Sequence, residues 1–179
     1  LLEEGGFCAL GEIGLDYYHS RDHIAEQIAL LRAQLELATE FGLPLILHCR
    51  QAARDLLDVL REHLQAGELR GVWHCFEGSE DEAREMLGLG FAISVSVILT
   101  FPGATGLRQV VARLQEDRVL IETDAPYLSP APLRGKVNEP AFLVHTLERL
   151  AELWNSTRED LEKKLDRETY RLFGLDTGP

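Results

Sequence analysis

The sequence predicts an α/β fold in which parallel strands alternate with helices and curl into a β/α barrel, and three observations carry that prediction. Five short, near-continuously apolar runs recur along the 179 residues, as expected of strands buried on both faces. Amphipathic segments of helical period separate them. Four ligand-type side chains, Glu12, His48, His74 and Asp124, interrupt or end these runs.

The strands are expected at Cys8–Leu15, Leu43–His48, Gly71–Phe76, Phe91–Val97 and Val119–Thr123. The first helix spans about Asp22 to Phe41, with Ile24, Ile28, Leu31, Leu35 and Ala38 on one face and Gly42 as its stop. A second covers about Ala52 to Gln65. A third begins at Ser79, where Ser79 and Glu82 have the spacing of a capping box, and ends at Gly88 and Gly90. A fourth follows Gly103, and two more are expected at about Glu139 to Trp154 and Thr157 to Phe173. No repeat or linker divides the chain, so 1–179 reads as one domain.

The polar residues decide between an open sheet and a barrel. Glu12, His48, His74 and Asp124 follow one another at 36, 26 and 50 residues, and one β/α unit takes roughly 25 to 35 residues. The last interval is therefore two units, with Phe91–Val97 as the intervening strand. Side chains at the C-terminal ends of different strands converge on the mouth of a barrel, whereas an open sheet would spread them apart.

Composition narrows the function. A formal net charge of −12 excludes the basic field of a passive nucleic-acid binder. Bound cations and a few placed arginines can supply local attraction for phosphates instead. No apolar run approaches the roughly 20 residues of a membrane span, and no secretory leader is recognisable, so a cytoplasmic protein without membrane contact is expected. Cys8, Cys49 and Cys75 lie in strand-like runs without CxxC spacing and read as core residues in a reducing compartment.

Two imidazoles and two carboxylates suit Zn, Mn, Fe or Mg, and fall about two ligands short of holding two ions. Arg50, two residues after His48, and Arg134 are candidate phosphate contacts, because a guanidinium fork matches phosphate oxygens. Asn138 is expected to cap the following helix, with a substrate-positioning role second. Tyr17, Tyr18 and Tyr127 lie beyond strand ends, where they can stack on splayed bases or on neighbouring loops. Asp16 is expected to steady the site rather than bind metal.

The runs GEIGLDYY (Gly11–Tyr18), LPLILHCR (Leu43–Arg50), GVWHCFEGS (Gly71–Ser79), LIETDAPYLSP (Leu120–Pro130) and RGKVNEP (Arg134–Pro140) together resemble the TatD family of metal-dependent deoxyribonucleases over nearly the whole chain. The resemblance implies a TIM-like barrel with two divalent ions, Mg, Mn or Zn. In that arrangement Glu12 bridges both, His48 and His74 hold one, and Asp124 holds the other and orients the attacking water. It also implies a His-x-His pair on the first strand, which is absent among His19, His23, His48, His63, His74 and His145. Since Glu12 would then lie on about the fourth strand, the expectation is a sequence lacking about its first three strands. The open edge of the Glu12 strand would then favour aggregation or pairing with another chain.

The expected function is metal-dependent hydrolysis of phosphodiester bonds in DNA, of 3′ to 5′ exonuclease type, with RNA as a further substrate. Two alternatives stand beside it: hydrolysis of a carbonyl ester such as aminoacyl-tRNA, and a non-catalytic metal-binding module that recruits a protein partner. The only lysines, Lys136, Lys163 and Lys164, lie in a loop or late helix, so Glu12 rather than a carboxylated lysine is the expected bridge.

Overall fold

A computed structural model describes residues 2, 5–65, 67–114 and 118–175. Five strands, β1 (Leu10–Asp16), β2 (Leu45–Arg50), β3 (Gly71–Trp73), β4 (Ala92–Val95) and β5 (Val119–Ile121), form one sheet. Helices α1 (Ile24–Phe41), α2 (Ala53–Leu64), α3 (Glu80–Gly88) and α4 (Thr105–Val111) connect them, and α5 (Leu143–Trp154) and α6 (Arg158–Phe173) follow. Every pairing is parallel, and the spatial order β1-β2-β3-β4-β5 repeats the chain order. A doubly wound sheet reverses its order at a switch point. Sequential winding in one direction is instead the arrangement of a TIM-barrel-type fold.

The strand alternation sorts the side chains into two layers. Leu15, Leu45, Leu47, Trp73, Ile93 and Val119 face the helices and share one core with Leu35 of α1, Leu60 of α2, Met86 of α3 and Leu150 of α5. Ile46, Val72, Ala92 and Leu120 face the other way and meet Leu172 and Phe173 at the end of α6. Two residues further along β2 and β3 the same face reaches His48 and His74. Beyond β5 it reaches Glu122 and then Asp124. Apolar side chains thus fill the floor of this face, and ionisable ones stand at its C-terminal rim.

Local signals in the sequence set several boundaries. Gly42 closes α1 at φ 63°, and the Leu43 N–H returns to the Ala38 carbonyl at 3.0 Å. Ser79 and Glu82 form the capping box of α3 in both directions. Thr157 accepts from the Asp160 N–H to start α6.

Three expectations need correction. Cys8 precedes β1 and is exposed, so it is not a core residue. The segment after Asn138 opens as a short 3₁₀ turn, Pro140–Phe142, whose first cap is Glu139, and α5 begins only at Leu143. Asn138 is therefore not the helix cap, because its side chain is committed to the preceding loop. β3 and β4 are shorter than their apolar runs, since the chain turns out of the sheet at His74 and enters a 3₁₀ turn at Val97–Thr100.

Among the described residues β1 and β5 each pair on one side only.

Candidate metal centre

Glu12 reaches the rim because β1 is irregular. The register with β2 shifts between Gly11 and Ile13, which leaves Glu12 without a ladder partner. Gly14 lies at φ 148°, and a Cβ there would stand 1.9 Å from the His48 carbonyl oxygen. Only glycine allows β1 to approach β2 so closely beside His48.

The chain then turns sharply at the strand exits. Gln51, Cys75 and Asp124 all have positive φ, at 56°, 47° and 56°. Such backbone is costly outside glycine and collects at functional sites.

These turns bring Glu12, His48 and His74 together, each offering a ligand atom within 4.8 Å of the others. Glu12 Oε1 lies 2.8 Å from His48 Nδ1 and 3.3 Å from His74 Nε2. Asp124 Oδ1 stands 3.7 Å from the same His74 nitrogen. All four residues singled out by the sequence thus meet at one mouth. The donor set fits a divalent cation: among the described residues Glu12, His48 and His74 form a group able to hold an ion, and the Asp124 carboxylate borders it beside His74.

A second ring of contacts orients the imidazoles. Asp16 Oδ2 lies 3.0 Å from His48 Nε2, while its Oδ1 accepts the Tyr18 N–H at 2.8 Å. Gln27 of α1 clamps the Asp16 backbone, accepting its N–H and donating to its carbonyl. Burial would raise the Asp16 carboxyl, but the Tyr18 N–H and His48 outweigh it and hold it below the ordinary value.

Glu122 plays the matching part for His74, hydrogen-bonded to its Nδ1. The sequence reading did not single out Glu122. The signal was present: it lies two residues before Asp124, hence on the same face of the strand and its exit. Its other oxygen, Oε1, is buried without a hydrogen-bond partner.

The crowding of carboxylates perturbs the ionisation of the site. Burial pulls the His74 imidazole down, yet the Glu122 hydrogen bond and the charges of Glu122, Glu12 and Asp124 raise it above its usual value. Asp124 is also raised, first by burial and then by Glu122 and Glu12, with His74 opposing. Protons gather where cations are wanted.

The expected substrate contacts divide. Arg50 is exposed, its guanidinium 3.6 Å from the centre of the Tyr18 ring. Arg134 lies 4.1 Å from the Phe101 ring centre and near the Ser129 carbonyl. Tyr127 projects into solvent, 70% exposed. Asn138 is buried, and its amide nitrogen donates to the Thr123 and Tyr127 carbonyls at 2.5 and 2.6 Å. It fastens the loop that carries Asp124, with no N–H to spare for a ligand.

A parallel sheet of TIM-barrel type with imidazoles and carboxylates clustered at its C-terminal rim is the arrangement found in the fold class of the metal-dependent hydrolases. The chain belongs to the TatD related DNase family, whose model matches residues 1–174. It is 39% identical over 167 residues to an uncharacterized metal-dependent hydrolase, YabD, of Bacillus subtilis (strain 168), covering 93% of this chain and 65% of that protein. It is 37% identical over 182 residues to the 3′-5′ ssDNA/RNA exonuclease TatD of Klebsiella pneumoniae (strain 342), covering 98% of this chain and 68% of that protein. The crystal structure of YJJV, a TatD homolog from Escherichia coli K12, superposes with a TM-score of 0.86 at 35% identity, over 94% of this chain and 64% of that one. The chain thus spans about two thirds of the length of the relatives it matches. No helix among the described residues is long and apolar enough to cross a membrane.

Proposed function

We propose that this chain carries the greater part of the catalytic centre of a hydrolase that cleaves phosphodiester bonds in single-stranded DNA or RNA from the 3′ end. The convergence of Glu12, His48 and His74 within 4.8 Å carries this reading. The name of the Klebsiella relative supports the choice of bond and polarity.

Glu12, His48, His74 and Asp124 are the residues that would hold two divalent ions. Ions so held would lower the pKa of a water and offset charge on a phosphoryl oxygen. The protein supplies the rest. Asp16 and Glu122 fix the two imidazole rings by one nitrogen each. Asp124, with its carboxyl raised above the ordinary range, accepts the proton of the attacking water at Oδ. Arg50 and Arg134 hold phosphates flanking the scissile bond, and exposed Tyr127 offers a stacking surface to a base.

The test offers a 5′-labelled single-stranded oligonucleotide and an aminoacyl ester to the same protein under one metal. Metal-dependent shortening of the oligonucleotide, lost in Asp124→Asn, is expected. Faster ester cleavage would move the reaction to a carbonyl centre. Neither cleavage would favour the binding module.

A further inference from the structure

The exit of β4, Ser96 to Ala104, brings no histidine, cysteine or carboxylate to the rim. It is nonetheless tightly held. Ser96, 1% exposed, accepts the Ile98 N–H at 3.3 Å and starts the Val97–Thr100 turn. Thr100 closes that turn, its hydroxyl donating to the Val97 carbonyl at 2.7 Å. Arg108 of α4 reaches back over the segment. Its Nη1 donates to the Leu99 and Phe101 carbonyls at 3.2 and 2.6 Å, and its Nη2 to the Pro102 carbonyl at 2.9 Å and to Thr105 Oγ1 at 3.2 Å.

Arg108 is half-buried, and its printed partners among the described residues are these oxygens alone, with no carboxylate among them. A guanidinium fork ordinarily meets a carboxylate or a phosphate. Here it is committed to the main chain of one short loop, and a planar group bonded to three successive turns of backbone fixes their course relative to α4.

Two residues of this loop support the neighbouring one, which bears Asp124. The Thr100 hydroxyl oxygen accepts the Ala131 N–H at 2.9 Å, at the start of the Ala131–Leu133 turn. The Phe101 ring lies against the Arg134 guanidinium, 4.1 Å from the ring centre, and the Ser129 carbonyl stands 3.4 Å from Arg134 Nη1. Arg134 is otherwise exposed, and an unrestrained arginine side chain samples many rotamers. A ring on one face and a carbonyl at one edge restrict it. Asn138 fastens the near end of the Asp124 loop at Thr123 and Tyr127, whereas the far end rests on Thr100 and Phe101.

We propose that Arg108 is a positioning residue for the site: by holding the carbonyls of Leu99, Phe101 and Pro102 it keeps Thr100 and Phe101 in place as the seat on which the Asp124 loop presents Arg134. The assignment rests on the reading of Arg134 as a phosphate contact and adds the element that aims it. The helix before β5 thereby controls the loop after β5.

The test follows the Arg134 Nε–Hε signal by ¹⁵N–¹H NMR, because an aromatic ring current moves a proton above the ring upfield. The signal is assigned by its absence in Arg134→Ala, and Phe101→Leu, which has no ring current, should abolish the upfield shift. Arg108→Ala should abolish it too, although Arg108 bonds only to the backbone of that loop and to Thr105. Arg108→Lys keeps the charge and the stem but lacks the planar fork, and should show the same loss. Urea midpoints identify the folded variants. An Arg134 signal at its wild-type position in folded Arg108→Ala or Arg108→Lys would overturn the positioning role, as would a wild-type signal without the shift.

A kinetic arm uses a 5′-labelled single-stranded oligonucleotide with Mn²⁺. Arg108→Ala and Arg134→Ala should each raise KM about tenfold and leave kcat within about twofold, and the double variant should be no worse than Arg134→Ala. Additive losses would overturn the proposal, since Arg108 would then act by another route than Arg134. Absence of cleavage by the wild type would sink the nuclease reading, while the NMR signal still decides whether Arg108 places Arg134.

Discussion

Replacing Glu122 with alanine isolates the contact that orients His74. Glu122 Oε2 meets His74 Nδ1, and the two side chains are only 21% and 14% exposed, so solvent does little to replace the lost acceptor. Two effects oppose each other. The ring loses the partner that fixes its tautomer and keeps Nε2 turned to Glu12, a change that typically weakens metal binding 10- to 100-fold. That corresponds to about 1.4 to 2.7 kcal/mol. Removing a carboxylate also lowers the His74 pKa, which eases proton competition and strengthens binding at acid pH. At mildly alkaline pH the second effect vanishes, so the full loss should appear there. Glu122→Gln keeps an acceptor for the Nδ1–H and should recover most of the affinity. Calorimetric titration with Zn²⁺ of wild type, Glu122→Ala and Glu122→Gln reads the difference directly. Affinity of the alanine variant within twofold of wild type at that pH would refute the orienting role.

Three other outcomes are expected. The Asp124 carboxyl is raised in the folded chain, so its ionisation costs stability that is absent at low pH and grows as pH rises from below 3.8 through the folded value. In EDTA the urea midpoint of Asp124→Asn should therefore gain on wild type between acid pH and neutrality, and a constant difference would contradict the assignment. Burial pushes the Cys49 and Cys75 thiols up to about 12, whereas Cys8 is exposed. Ellman's reagent should thus find one fast thiol in the native protein and three after unfolding. Leu47 is fully buried between β2 and the helices, and Leu47→Ala should cost about 2 to 5 kcal/mol in chemical denaturation; a cost below about 1 kcal/mol would mean that the layer assignment is wrong.

The fold was legible where periodicity and caps act locally. Strand alternation, the Gly42 stop and the Ser79–Glu82 box all depend on neighbours within a few residues, and the structure follows them. The convergence of Glu12, His48 and His74 was legible for a related reason: four ligand-type side chains recur at or near the ends of apolar strands in step with the β/α period, and such strands bring their ends together. What escaped the sequence depends on contacts between distant segments. Cys8 has the composition of a strand residue, but the chain joins the sheet only at Leu10. Asn138 has the composition of a helix cap, but the carbonyls of the Asp124 loop claim its side chain. Glu122 lies in the same short run as Asp124, and only the turn at Asp124 makes the two carboxylates serve different roles toward His74.

The central claim is that Glu12, His48 and His74 together hold a divalent cation, and metal stoichiometry tests it most directly. The protein is dialysed against Mn²⁺ or Zn²⁺ and its bound metal is counted by mass spectrometry, beside Glu12→Ala protein of equal helical content. The account predicts bound metal in the wild type and its loss in Glu12→Ala, because Glu12 Oε1 lies within 3.3 Å of a nitrogen of each imidazole. Full occupancy in folded Glu12→Ala would contradict it.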